Sequence, residues 1–209
     1  MILHSTVAPP SKKRQLLTIV IVVGWLCAAI AGIGLILAYE GRKGTTEPVA
    51  RSWPDKTKIQ ANEGGPTLLM FAHPHCPCTR ASLGELEKLM ARHQGDVKAI
   101  VVFSKPANAA EDWDQTDLWQ LASSIPGVQV MQDHDNVEAR RFHVTTSGQT
   151  LLYDRYGHLL FSGGITMARG HAGDNPGCDA VESLLSQGSA RVDRTPVFGC
   201  PIITPSASN

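Results

Sequence analysis

TLLMFAHPHCPCTRASLGELEKLMARH, residues 67–93, decides how this chain folds. Its opening TLLMFA is an apolar run of strand length, the pattern of a strand buried on both faces. From Thr79 onward, Leu83, Leu86, Leu89 and Met90 recur at helical spacing and give one apolar face. Between strand and helix, HPHCPC packs two histidines, two cysteines and two prolines into six residues. A strand ending near Ala72 and a helix starting near Cys76 or Pro77 make this a tight turn, with proline favoured at the first helical position. Cys76 then falls near the N-cap and Cys78 inside the first turn, where free amide donors and the positive end of the helix dipole face the sulfurs. A thiolate is stabilised there, and its pKa is expected below the free value of about 8.5. His73 and His75 add imidazoles close to the same turn.

Working outward, VKAIVVF (97–103) reads as a second buried strand. DLWQLASSI (117–125) and VQVM (128–131) read as a helix and a strand. DNVEARRF (135–142) has Asp135 and Glu138 at capping-box spacing and is expected to be a short helix. QTLLYD, the turn RYGH and LLFSG form a β-hairpin pattern, and CDAVESLLSQ (178–187) closes as a helix. The early βαβ order requires a parallel pair with a right-handed crossover, and the late ββα order adds antiparallel strands. The expected class is therefore α/β.

This order, with cysteines at the first strand-to-helix turn, resembles the thioredoxin fold over residues 60–188. The resemblance implies a three-layer sandwich with an inserted helix–strand unit, like that of membrane-tethered and peroxiredoxin-like members. The later stretch LLYDRYGHLLFSGGITMARGHAGDN also resembles a set of membrane-anchored bacterial proteins labelled RedB.

A second feature is LLTIVIVVGWLCAAIAGIGLILA, residues 16–38, which holds 23 residues without a charge. At 1.5 Å rise per residue this is about 34 Å, enough to cross a hydrocarbon core of about 30 Å as one transmembrane helix. Lys12, Lys13 and Arg14 precede it and place residues 1–15 in the cytoplasm by the positive-inside rule; Arg42 and Lys43 reduce the contrast. Ala29-Ile30-Ala31 has the form of a signal-peptide cleavage site, yet the apolar run continues for seven residues beyond it, which favours an uncleaved anchor. The expected location is the inner membrane, single-pass, with the following domain on the periplasmic or extracellular side. Residues 39–65 read as a linker, 66–188 as the folded domain and 189–209 as an irregular tail. Gly32 and Gly34 lie within the span, so they do not form a nucleotide loop.

Composition narrows the function. Nineteen basic and 19 acidic side chains balance, which argues against nucleic acid as a partner. With Cys27 inside the apolar run, the four cysteines Cys76, Cys78, Cys178 and Cys200 are too few to staple a domain of this size. The Cys-Pro-Cys spacing departs from the Cys-x-x-Cys that the resemblance implies. Either Cys78 takes the second place and His75 the first, or Cys76 takes the first and Thr79 the second. A disulfide across one intervening residue is tight, strained and easily reduced. Alternatively Cys76 reacts and Cys178 or Cys200 resolves it. The family's cis-proline is missing as well: Gly148 stands at its place, with Ser147 before it, and this departure makes metal binding easier to entertain.

GGITMARGHAGDNPG, residues 163–177, is long for a strand-to-helix connection and therefore a candidate functional loop. The resemblance implies that it borders the redox centre, where Arg169 would stabilise a thiolate and His171 would donate a proton or bind a soft metal. Asp174 and Asn175 read as turn or cap residues. His143 and His158 read as surface or hairpin residues, Asp133-His134-Asp135 as helix capping, and Asp112, Asp114 and Asp117 as a solvated helix start.

Three functional classes follow. In the first, a tethered thiol-based redox protein works on protein thiols and disulfides or on a peroxide, without a cofactor, through Cys76, Cys78, Arg169 and His171. In the second, a copper-binding or copper-delivery module holds Cu(I) with Cys76, Cys78 and one of His73, His75 or His171. In the third, the fold persists as a redox-inactive interaction domain.

Overall fold

The computed structural model describes residues 11–203. It divides into two units, an N-terminal segment ending at Glu40 and a folded unit from Gly41 onward. The first unit is a single helix, α1 (Lys12–Glu40), of mean hydropathy 2.7 over its most apolar window, long and apolar enough to be a membrane anchor.

The second unit is built on five strands: β1 (Thr67–Ala72), β2 (Lys98–Lys105), β3 (Val128–His134), β4 (Gln149–Tyr153) and β5 (Leu159–Gly164). Their order across the sheet is β3-β2-β1-β4-β5. β1, β2 and β3 run parallel, while β4 and β5 add antiparallel strands on the other side of β1. The central position of β1 explains its unbroken apolar run, because every one of its six residues is buried.

Four helices complete the layers: α2 (Pro77–Arg92), α3 (Asp117–Ser124), α4 (Val137–Phe142) and α5 (Pro176–Gln187). Leu83, Leu86 and Leu89 of α2, Leu118 of α3 and Val181 of α5 meet Leu68, Met70, Val101 and Phe103 on one face of the sheet. On the other face Ala139 and Phe142 of α4 meet Leu69, Phe71, Val102, Leu151 and Tyr153. This is the expected three-layer sandwich, and α3 with β3 is the inserted helix–strand unit, placed at a sheet edge.

The structure departs from the sequence expectations in three places. The folded unit is wider than 66–188. Val49 and Ile59, from the stretch expected to be a linker, are buried in the second core, and Trp53 stands edge-on to Phe142 and Tyr153 at 5.3 and 5.1 Å. In the tail, Val197, Phe198 and Ile202 are buried. Neither segment has a helix or strand period, because each is an irregular strap whose isolated apolar residues reach the core one at a time. Second, α4 is not capped by Asp135. Asp135 and Asn136 both adopt left-handed backbone, and the Asp133 carboxylate accepts the Glu138 and Ala139 N–H groups at 2.8 Å each. Third, Asp114 is fully buried rather than solvated, with Lys105 Nζ 3.1 Å from its Oδ1. Asp117 stays exposed at the start of α3, where Thr116 caps the helix.

Phe142 contacts Trp53, Phe71 and Tyr153 and joins the strap to the sheet. Phe142→Ala is expected to destabilise the folded unit by ~3–5 kcal/mol, read as a lower denaturant midpoint.

Candidate active site

The turn after β1 is fixed by its own backbone. Cys76 N–H donates to the His73 carbonyl at 3.1 Å, and Thr79 N–H to the Cys76 carbonyl at 3.0 Å. Cys76 is the N-cap of α2, in extended backbone, with Pro77 beginning the helix. Its side chain does not cap the helix; the sulfur instead collects donors.

Four groups converge on that sulfur. The Cys200 N–H lies 3.4 Å from it. The Cys200 thiol, the Thr79 hydroxyl and the Cys78 N–H also donate to it. Burial by itself would raise the Cys76 pKa, but these donors outweigh it and hold the thiol below its ordinary range. Thr79 lies three residues on, hence on the same helix face. Its hydroxyl is 2.8 Å from that of Ser147, which accepts the His73 N–H at 2.8 Å. A chain of hydrogen bonds thus links the His73 amide, the two hydroxyls and Cys76. Cys76 at the N-cap and Thr79 three residues on therefore share the helix start.

Cys78 lies one step inside α2. Burial raises its pKa, the neighbouring Cys76 raises it further, and a contact with Arg169 offsets part of the rise. This contact sets the Arg169 guanidinium beside Cys78, and the Arg169 Nε donates to the Arg42 carbonyl at 3.0 Å. His171 is exposed, and its Nδ1 lies 2.9 Å from the Arg169 carbonyl. It helps close the turn that carries Arg169, with its N–H on the Ala168 carbonyl. Asn175 caps α5 by accepting the Cys178 N–H at 2.8 Å, as read from its turn chemistry.

Gly148 explains how the turn before β4 works without proline. Its φ is +83° and its N–H donates to the Phe71 carbonyl at 2.7 Å, a bond that proline has no hydrogen to make. A Cβ on Gly148 would lie 2.9 Å from the Ser82 hydroxyl on α2.

His73 and His75 sit beside Trp113, at 6.1 and 4.3 Å between ring centroids. Burial, and then His75, lowers the His73 pKa. His73 Nδ1 accepts the His75 N–H at 3.1 Å, so that nitrogen is engaged within its own turn. Among the described residues no group of three or more His, Cys, Asp or Glu side chains converges on a metal position. Cys178 lies in the apolar core, its thiol on Glu85 and the Ile165 carbonyl, and burial pushes its pKa up to about 12. His143 and His158 are exposed.

Cys76 is fully buried and Cys78 nearly so, yet neither belongs to the apolar clusters. Polar donors and the C-terminal segment enclose them. From sequence, Thr79 and Ser147 figure only as places in the family's motif, and Trp113 is not singled out. A period-three count from Cys76 identifies Thr79, but nothing local marks Ser147 or Trp113, whose positions depend on packing of distant segments.

The sequence matches no family model and no curated protein. By structure the chain is similar to a hypothetical protein from Sinorhizobium meliloti, with a TM-score of 0.59 and 19% identity over 78% of this chain and 97% of that one. It is also similar to an uncharacterized conserved protein from Geobacillus kaustophilus, with a TM-score of 0.56 and 19% identity over 80% of this chain and 95% of that one. A weaker likeness, with a TM-score of 0.43 and 18% identity over 59% and 81%, is to a secreted Mycobacterium tuberculosis disulfide oxidoreductase. The fold is thioredoxin-like. At such identities the likeness concerns the fold and not the chemistry.

Because the folded-state pKa of Cys76 is lowered, its thiolate persists below the ordinary thiol range and is lost only as pH falls through the lowered value. Thr79→Val removes one donor and is expected to move that titration to higher pH. The check is ultraviolet thiolate absorbance against pH, with Cys76→Ser as the blank.

Proposed function

We propose that this is a membrane-tethered, extracytoplasmic thiol–disulfide exchange protein with Cys76 as its nucleophile. The observation that carries the reading is the set of donors from Cys78, Thr79 and Cys200 on one N-cap sulfur. A thiolate is the attacking species in disulfide exchange, and donors that favour it at moderate pH prepare the attack. The Cys76 thiolate attacks one sulfur of a substrate disulfide. The substrate S–S bond breaks, one substrate thiolate leaves, and a mixed disulfide remains on Cys76. A second protein thiol then attacks Cys76 and releases the other substrate thiolate, so two electrons pass from protein to substrate. Run backwards, the same steps oxidise a substrate dithiol.

Arg169 serves the site electrostatically. Its contact with Cys78 places a fixed cation beside the sulfur pair, where negative charge develops on the attacked and departing sulfurs. His171 supports this reading indirectly, by shaping the turn that carries Arg169. The apolar α1, following three basic residues, supports a single-pass anchor with the domain on the oxidising side, where exchange has disulfide substrates.

Copper is the less suitable reading. Among the described residues no imidazole groups with the two sulfurs: His73 Nδ1 accepts the His75 N–H, His75 packs on Trp113, and His171 Nδ1 lies on the Arg169 carbonyl.

Cys76→Ser is expected to reduce exchange with a small aromatic disulfide to the uncatalysed background, while Arg169→Gln slows it with the fold intact. Stopped-flow release of the aromatic thiol reads both. Undiminished release from Cys76→Ser would overturn the assignment.

A further inference from the structure

The C-terminal segment does not simply end near the site. It enters it along a defined track. Ser162 N–H donates to the Asp193 carbonyl at 2.9 Å, and the Thr195 hydroxyl to the Gly164 carbonyl at 2.7 Å, so the chain first runs along the outer edge of β5. It then crosses to the turn before β4. There Ser147 N–H donates to the Cys200 carbonyl and Ile202 N–H to the Thr145 carbonyl, both at 2.8 Å, with Thr146 and Pro201 bridged antiparallel. The segment thus pairs with residues 145–147 as a short added strand. A Cβ on Gly199 would stand 1.9 Å from the Ser147 carbonyl oxygen, so only glycine allows this approach. Ile202 is buried in the second core and pins the far end. The result is that Cys200 is delivered to Cys76, N–H toward sulfur at 3.4 Å.

The other two thiols are worse placed as partners for Cys76. Cys78 is two residues away in the first turn of α2, and residues so spaced do not face each other on a helix. Cys178 is held in the apolar core by Glu85 and Ile165. We propose that Cys200 is the thiol that forms a disulfide with Cys76, and that the strap carrying it occupies the edge a substrate disulfide must take to reach Cys76.

This inference rests on Cys76 being the nucleophile. A substrate disulfide displaces the strap, and the Cys76 thiolate attacks it, forming the mixed disulfide and releasing the first substrate thiolate. The strap then re-docks. Cys200 loses its proton to solvent and attacks the Cys76 sulfur. The Cys76–substrate bond breaks, the Cys76–Cys200 bond forms, and the second substrate thiolate leaves and takes up a proton. Cys76 and Cys200 together lose two electrons, and the substrate disulfide gains them.

The test uses the full chain in detergent, oxidised glutathione as the disulfide, an acid quench and non-reducing peptide mapping. The expected product is a peptide pair linked Cys76–Cys200, and Cys200→Ser is expected to accumulate glutathione on Cys76 instead. A Cys76–Cys78 bond in the unmutated chain overturns the inference and leaves Cys76 as nucleophile. No glutathione or disulfide on Cys76 in either protein overturns both readings. For the cover, Gly199→Val is expected to speed alkylation of Cys76 by iodoacetamide roughly tenfold or more, as opening of the strap becomes frequent. Cys178 remains unlabelled as the control for an intact core. An unchanged Cys76 rate with Cys178 protected overturns the cover, and the peptide map of the unmutated chain stands independently of this variant.

Discussion

One sulfur atom with too many donors organises this structure. The Cys76 Sγ receives N–H and O–H groups from α2 and N–H and S–H groups from the C-terminal strap. A neutral thiol is a weak acceptor and does not justify so many donors, whereas a thiolate does. The turn before β4 must then sit where Ser147 can serve both the His73 amide and the Thr79 hydroxyl. The strap must approach closely enough that Gly199 passes under the Ser147 carbonyl. Local backbone choices that look unrelated in the sequence therefore share one cause.

The left-handed Gly148 belongs to the same set. With its N–H on the Phe71 carbonyl, it continues the pairing of β1 with β4 into the turn and keeps Ser147 facing α2. A proline at that position would forgo this bond. The chain therefore reaches a thioredoxin-like layout by a different route at the turn beside the reactive sulfur.

Much of this was legible in the sequence because strands buried on both faces and amphipathic helices leave periods. β1 and β2 stood out as apolar runs, and the apolar face of α2 was set by Leu83, Leu86, Leu89 and Met90. The sulfur pair stood out for a different reason, as a proline-marked turn between strand and helix, and Arg169 was reached through its long glycine-rich loop and the resemblance. The rest left no period. Val49, Ile59 and Ile202 are single apolar residues in irregular straps, and nothing near them in sequence reveals that they fill gaps against Phe142, Leu151 and Tyr153. Asp114 misled because a run of acidic residues usually faces water, whereas here Lys105 projects from the end of β2 to meet it. Cys200 was one of three candidate partners for Cys76, beside Cys78 and Cys178, and the pairing of residues 200–202 with 145–147, which delivers it to the sulfur, leaves no local trace in the sequence.

A cover made from the molecule's own chain behaves differently from one supplied by a second protein. Its effective concentration at the sulfur is set by tether length, on the order of millimolar for short flexible connections, and dilution does not change it. The strap is tethered still more closely, because Asp193 and Thr195 are already docked on β5 a few residues before Cys200. Small thiols and disulfides at micromolar levels therefore compete poorly for Cys76. A polypeptide lacks that tether too, but the two backbone bonds it could make with residues 145–147 are ones a small disulfide cannot offer.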